Sequence, residues 1–180
     1  MKKKIISCLV VVILVLLFDQ WLKFWVKTTF IYGHSRPVLG DWFELHFIEN
    51  NGFAFGKELG GRIGKLILSL FRLVAVSVLG WYIFSLIKDK AANFRFGYIL
   101  MVSLIFAGAL GNIIDSVFYG VLFSESNYHV SELATFLPAG GGYEAIFYGR
   151  VVDMLHFPVV DTMLPDWIPF WGGERFEFFR

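Results

Sequence analysis

"IGKLILSLFRLVAVSVLGWYIFSLI" (63–87) is an apolar run broken only by Lys65 and Arg72, and "KDK" (88–90) closes it. A helix needs about 20 apolar residues to cross the hydrocarbon of a bilayer, so this run reads as a membrane span. Two more runs have that length: roughly 5–26, after "MKKK" (1–4), and 96–119. The chain has 180 residues, of which 57% are hydrophobic, with 21 Phe and 6 Trp. Soluble domains average about 45–50% apolar, and here the excess is gathered into runs. The fold class that follows is membrane α-helical: one integral membrane domain over 1–180, with three transmembrane helices.

Charge orients the spans. Lys2, Lys3, Lys4, Lys88, Lys90 and Arg95 flank their ends. The positive-inside rule then puts the N-terminus and the 88–95 loop in the cytoplasm, and segments 27–62 and 120–180 outside. The first run resembles a signal peptide, but it is too long and "DQWLKFWVK" (19–27) follows it in place of a small-residue cleavage site. A net charge of +1 gives no electrostatic case for nucleic acid. Cys8 is the single cysteine and cannot close an internal disulfide. His34, His46, His129 and His156 show no ligand spacing, so neither a metal nor an organic cofactor is expected.

Outside the spans, "FELHFI" (43–48), the turn signal "NNG" (50–52) and "FAF" (53–55) read as strand–turn–strand over 38–58, part of a small extracytoplasmic β-sheet. Segment 121–148 reads as a long outer loop with a short helix around 130–137. Loops of that length are usually functional or disordered. The tail "PDWIPFWGGERFEFF" (165–179) has the aromatic density of an interfacial belt.

Depth along the helices groups the polar residues. At 1.5 Å per residue, Asp115 stands about 30 Å beyond Arg95, Asp19 about 22 Å beyond Lys4, and Arg72 about 24 Å from Lys88. Asn112 shares a helix face with Asp115, and Lys23, at i+4 from Asp19, is placed to pair with it. All of them fall in the outer part of the bilayer. Polar groups at such depth usually face the bundle interior and mark a site. Each also has a plain reading. Asp115 could be a solvated helix end, Asp19 with Lys23 a structural pair, Arg72 a snorkelling cation and Asn50 a turn residue.

Asp153 is the odd member. It sits in "YGRVVDMLHFP" (148–158), where an ionised carboxylate is costly unless it is paired, solvated or kept for chemistry. The sequence holds no Ser–His or Cys–His constellation, no G-x-S-x-G and no phosphate-cradling loop. Carboxylates and amides remain. Two nearby carboxylates share a proton, so one can take a proton from water while the other protonates a carbonyl. An asparagine alongside can hold the developing oxyanion.

"DQWLK" (19–23), "NNGFAFG" (50–56), "GNIID" (111–115) and "GRVVDMLHF" (149–157) together closely resemble, in order and spacing, the lipoprotein signal peptidases. These are bacterial intramembrane aspartyl proteases of four helices. They remove signal peptides just before a diacylglyceryl-modified cysteine, near the outer leaflet of the cytoplasmic (inner) membrane. The resemblance implies that Asp153 is one catalytic carboxylate and that Asn50, with Gly52 of the same motif, contributes to the site. Asn112 and Asp115 support it, while Asp19, Gln20 and Lys23 shape it from the first helix. The implied partners are the diacylglyceryl-modified prolipoprotein and membrane lipids, with no cofactor.

The resemblance also exposes departures. Many members carry Arg after the Asp of the third motif, where this chain has Ser116, and Arg72 or Arg150 are candidates to supply that cation. The loop 121–148 is longer than in compact members. The second catalytic Asp is expected in an asparagine–x–alanine–aspartate motif opening a fourth helix. The sequence stops at "FEFFR" (176–180), so the expectation is a chain incomplete at its C-terminus and inactive by itself. Nothing in the context of Asp161 or Asp166 recommends either as a substitute. Rival readings are a non-catalytic membrane protein binding lipids or acylated peptides through the same groove, and a small transporter. The apolar inner halves of the helices count against the transporter.

Overall fold

A computed structural model describes residues 2–40, 42–51, 61–88, 96–129, 132–158, 160–163, 165–167, 173 and 175–178. The apolar runs form three long helices: α1 (Lys2–Thr29), α2 (Gly61–Lys88) and α3 (Phe96–Ile114). None contains a proline, which would break the internal ladder of hydrogen bonds on which a backbone in lipid depends. The third span continues through a π-helical turn (Asp115–Tyr119) and a last turn, α4 (Gly120–Leu122). The spans read from sequence lie within these helices, and the observed helices extend into the polar residues that flank the apolar runs.

Leu14, Leu17 and Trp21 of α1, Ile67, Phe71 and Val74 of α2, and Met101 and Ile105 of α3 are exposed. Apolar side chains around a helix suit a lipid solvent, whereas a soluble helix keeps them to one stripe. α3 packs on both α1 and α2. At one end the helices bury Cys8, Ile83, Leu86, Ile99 and Val102. At the other end, where α1 and α3 finish and α2 begins, sits a three-stranded antiparallel sheet.

The sheet comprises β1 (Ser35–Leu39), β2 (Phe43–Asn50) and β3 (Val151–His156), in the order β1-β2-β3. β2 contains the expected "FELHFI". Its described partners are β1 just before it and β3 from far downstream. The "FAF" strand and Gly52 lie outside the described residues. Leu45 and Phe47 from β2 and Val152 and Met154 from β3 close on Val26 and Phe30 of α1 and on Tyr119 and Phe123. Burying each large apolar side chain contributes roughly 1.5–3 kcal/mol, and this cluster fastens the sheet to the helices. Across the β2–β3 pair, Asn50 lies opposite Val151 and Ile48 opposite Asp153.

Two expectations fail here. No helix forms at 132–137. Thr135 O accepts from Ser124 N (3.0 Å), Leu137 N donates to Leu122 O (2.7 Å), and Phe136 bridges to Phe123. The backbone groups a helix would have paired locally go to the end of the third span. The aromatic tail, read as a belt, instead contains a two-stranded hairpin of β4 (Val160–Met163) and β5 (Arg175–Phe178).

The π-helical turn docks the loop that leads into β3. Gly149 N donates to Ser116 O (2.9 Å), Phe147 N to Val117 O (3.2 Å) and Glu144 N to Gly120 O (2.9 Å). A wider turn offers its carbonyls to outside donors, and such turns recur at functional sites. Gly149 permits the approach, since a Cβ there would lie 2.9 Å from Gly120 N and 3.0 Å from Ser116 O. Phe147 adopts φ 70°, unusual for a bulky residue, and its carbonyl accepts from Ser69 Oγ of α2 (3.2 Å).

Candidate active site

Asp19, Lys23 and Lys27 follow one another at four-residue spacing along α1, so all three point to one face, and that face meets α3. Lys23 is buried. Its ammonium contacts Asp115 Oδ2 (2.7 Å), Asp19 Oδ2 (3.2 Å) and Asn112 Oδ1 (3.0 Å). Asp115 has no solvent exposure. Its Oδ1 accepts from Gln20 Nε2 (2.9 Å), and its Oδ2 also accepts from Val152 N (3.3 Å). One carboxylate thus ties together α1, α3 and β3. Gln20 also donates to Asp19 (3.0 Å) and accepts from Tyr119 Oη (3.2 Å). An ion pair taken out of water repays its desolvation only when the remaining polar atoms are also satisfied, and here they are. Gly111 leaves room for the arrangement, because a Cβ there would meet the Asp19 carboxylate.

Asp153 faces the side of β3 opposite Val152 and Met154, which lie in the core. It is half-buried and hydrogen-bonded by Asn50, with Lys23 and Arg72 as nearby positive charges. Burial pushes its carboxyl above the ordinary range, against the opposite pull of Asn50 and the two cations. Arg72 does not run along α2 toward the interface. Its Nη1 donates to Ser116 Oγ (3.3 Å), which in turn donates to Asn112 O (2.9 Å), and its charge faces both Asp153 and Asp115. Of the two candidate cations for the Ser116 position, Arg72 stands there.

Arg150 goes elsewhere, to Glu125 (3.1 Å), Ser126 O (3.2 Å), Glu49 Oε2 (3.6 Å) and the Tyr143 ring (5.2 Å). There it joins a second buried cluster that the sequence reading missed. Lys27 is fully buried, pairs with Glu49 and donates to Ser126 Oγ (3.1 Å). The rings of Phe47, Phe123 and Tyr143 surround its ammonium at 5.8, 5.4 and 5.2 Å. The available signal was the spacing of Lys27 from Lys23. Glu49, beside Asn50, carried no pattern of its own.

The structure therefore brings Asp19, Lys23, Asn50, Arg72, Asn112, Asp115 and Asp153 to one place where α1, α2, α3 and the sheet meet. Arg150 lies beside that place, and Gly52 falls outside the described residues. Asp166 is exposed, and Asp161 sits in the β4–β5 hairpin opposite Glu177. Among the described residues, no three His, Cys, Asp or Glu side chains cluster as metal ligands. Carboxylates, amides and two cations suit proton transfer and the holding of a polarised carbonyl.

Residues 11–178 match the family described as Signal peptidase (SPase) II. A lipoprotein signal peptidase of Porphyromonas gingivalis (strain ATCC 33277) is 48% identical over 177 residues, spanning 98% of this chain and 74% of the relative. One from Amoebophilus asiaticus (strain 5a2) is 34% identical, spanning 96% and 68%. Two solved bacterial membrane enzymes, determined by the in meso method at 2.3 Å and 1.9 Å, share the fold with TM-scores of 0.52 and 0.56 at 23% and 24% identity. They cover 94% and 85% of this chain and 76% and 75% of their own. The family match over nearly the whole length, on a bundle of membrane-length helices, shows that the chain belongs to the signal peptidase II family of membrane-bound proteases.

Proposed function

We propose that the protein removes signal peptides from diacylglyceryl-modified prolipoproteins, cutting just before the lipidated cysteine at the outer leaflet of the bacterial inner membrane. The N-terminus lies in the cytoplasm, and the sheet rests at the outer face. The curated relatives are lipoprotein signal peptidases by description, which supports the substrate class. Asp153 is one carboxylate of an aspartyl pair that activates water, so no covalent acyl-enzyme accumulates. Asn50 orients it, and Arg72 supplies the positive charge that other members obtain from the position of Ser116. Asp115 and Asp19 are committed to Lys23 and hold the scaffold. The partner of Asp153 is the Asp of the asparagine–x–alanine–aspartate motif expected after Arg180.

The observation that carries this reading is the setting of Asp153. It is half-buried and bonded by an amide, and its carboxyl is raised toward the range in which it can exchange a proton. The test is cleavage of a lipidated precursor by the full-length protein, followed by the mobility shift on a gel. Asp153→Asn abolishes the shift while the protein remains folded. Wild-type turnover by Asp153→Ala refutes the assignment.

A further inference from the structure

Beside the site, the first turns of α2 and the 144–150 segment enclose a cleft of about 210 Å³. Asn51, Arg62, Lys65, Glu144, Tyr148 and Arg150 line it, three cationic side chains to one acidic. Arg62 is held over the Tyr148 ring (4.7 Å) and meets Glu144 (3.3 Å), so the cleft already presents a cation to a carboxylate. Lys65 donates to Asn51 Oδ1 (2.9 Å). The start of a long helix adds the positive end of its dipole.

The cleft is in line with the site. Asn51 follows Asn50, and Arg150 precedes the Val151 that pairs with Asn50, so the two strands carrying Asn50 and Asp153 run into it. Along α2, Lys65 and Arg62 stand about 10 and 15 Å beyond Arg72, toward the sheet end. An extended peptide advances about 3.3 Å per residue, so those distances correspond to roughly three to five residues. A substrate held at Asp153 by its lipidated cysteine leads its mature segment outward from the membrane, toward this cleft.

We propose that the cleft binds an acidic side chain of the substrate roughly three to five residues after the cleavage point, making Arg62 and Lys65 specificity determinants. This rests on the reading of the protein as a prolipoprotein peptidase. An anionic phospholipid headgroup is the rival occupant. The alignment of the cleft with the strands that carry Asn50 and Asp153 favours the peptide, since a headgroup has no need of that alignment.

The test measures binding of fluorescent peptides with a diacylglyceryl cysteine, bearing Asp, Asn or Lys four residues after it, to the full-length protein in zwitterionic nanodiscs. The Asp peptide binds about fivefold tighter than the Asn peptide, the Lys peptide binds weakest, and Arg62→Glu with Lys65→Glu reverses the order. Equal affinities for the three peptides overturn the proposal and leave the proposed function standing. Failure of every lipopeptide to bind the folded protein overturns the proposed function, and this inference falls with it. If the double variant changes only the retention of phosphatidylglycerol in mixed nanodiscs, leaving peptide preference intact, the cleft is a lipid site and the proposal is wrong.

Discussion

Asp115→Asn is nearly isosteric, and it tests whether the charge at this position is structural. Both oxygens of Asp115 accept from donors: Oδ1 from Gln20, Oδ2 from Lys23 and Val152. An amide nitrogen in either place faces an N–H, so neither rotamer satisfies the site. Lys23 keeps Asp19 at 3.2 Å and Asn112 at 3.0 Å but loses its 2.7 Å partner. Breaking a buried ion pair costs about 3–5 kcal/mol, and the surviving Asp19 puts this case near about 3 kcal/mol. In a chain of this size 1 kcal/mol moves the melting temperature by about 2–4 °C, so the expected loss is about 6–12 °C. Cys8 makes the assay simple. It is the only cysteine and is 5% exposed, so a thiol-reactive fluorogenic dye lights up when the helices separate. A melting point within 2 °C of the parent would show that Lys23 does not need Asp115, and the account of the site as an anchored scaffold would fail.

Asp153→Asn should behave in the opposite way. Burial raises the folded carboxyl above its unfolded value, so the native state binds the proton more tightly, and the parent loses that stabilisation as pH rises through the folded value. The Asn variant should therefore melt higher than the parent at pH 7–8, with the gap closing below about pH 4, as read by thermal scans across that range. Gly149→Ala puts a Cβ against Ser116 O and Gly120 N, costing about 2 kcal/mol and opening the 144–149 segment to limited proteolysis. Arg72→Gln withdraws a positive charge facing Asp153, so the acidic limb of the pH–rate profile of the full-length protein should move to higher pH, and Ser116→Arg should bring part of it back. Lys27→Met strands Glu49 in the core and should destabilise by about 3–5 kcal/mol, while Lys27→Met with Glu49→Gln recovers much of the loss in chemical denaturation.

The spans were legible because lipid imposes a composition and a length, and depth along each helix followed from a constant rise per residue. That arithmetic put Asp19, Arg72, Asn112 and Asp115 at one level before any contact was known. It could not see what depends on partners far away in sequence. The pairing of β2 with β3 joins Ile48 to Asp153, and no local pattern encodes it. The π-helical turn at Asp115–Tyr119 leaves no mark in hydropathy, since its cause is the docking of Phe147 and Gly149 onto its carbonyls. The expected helix near 130–137 lost to backbone partners at Leu122 and Ser124 for the same reason. Lys27 looked like a polar helix end. Only the folded sheet supplies the Glu49 and the three rings that make it a buried ion.

The two kinds of carboxylate at the sheet end divide the work. Asp19, Asp115 and Glu49 each meet a lysine ammonium directly, and protonating any of them would strand a buried cation. Their cost of changing charge is the cost of the fold. Asp153 meets the neutral amide of Asn50, and the charges of Lys23 and Arg72 act on it without direct contact being what holds it in place. It can therefore gain or lose a proton while the helix contacts stay intact. A carboxylate that must change protonation in every turnover belongs where that change does not unfold the scaffold, and at this end of the molecule Asp153 occupies that position.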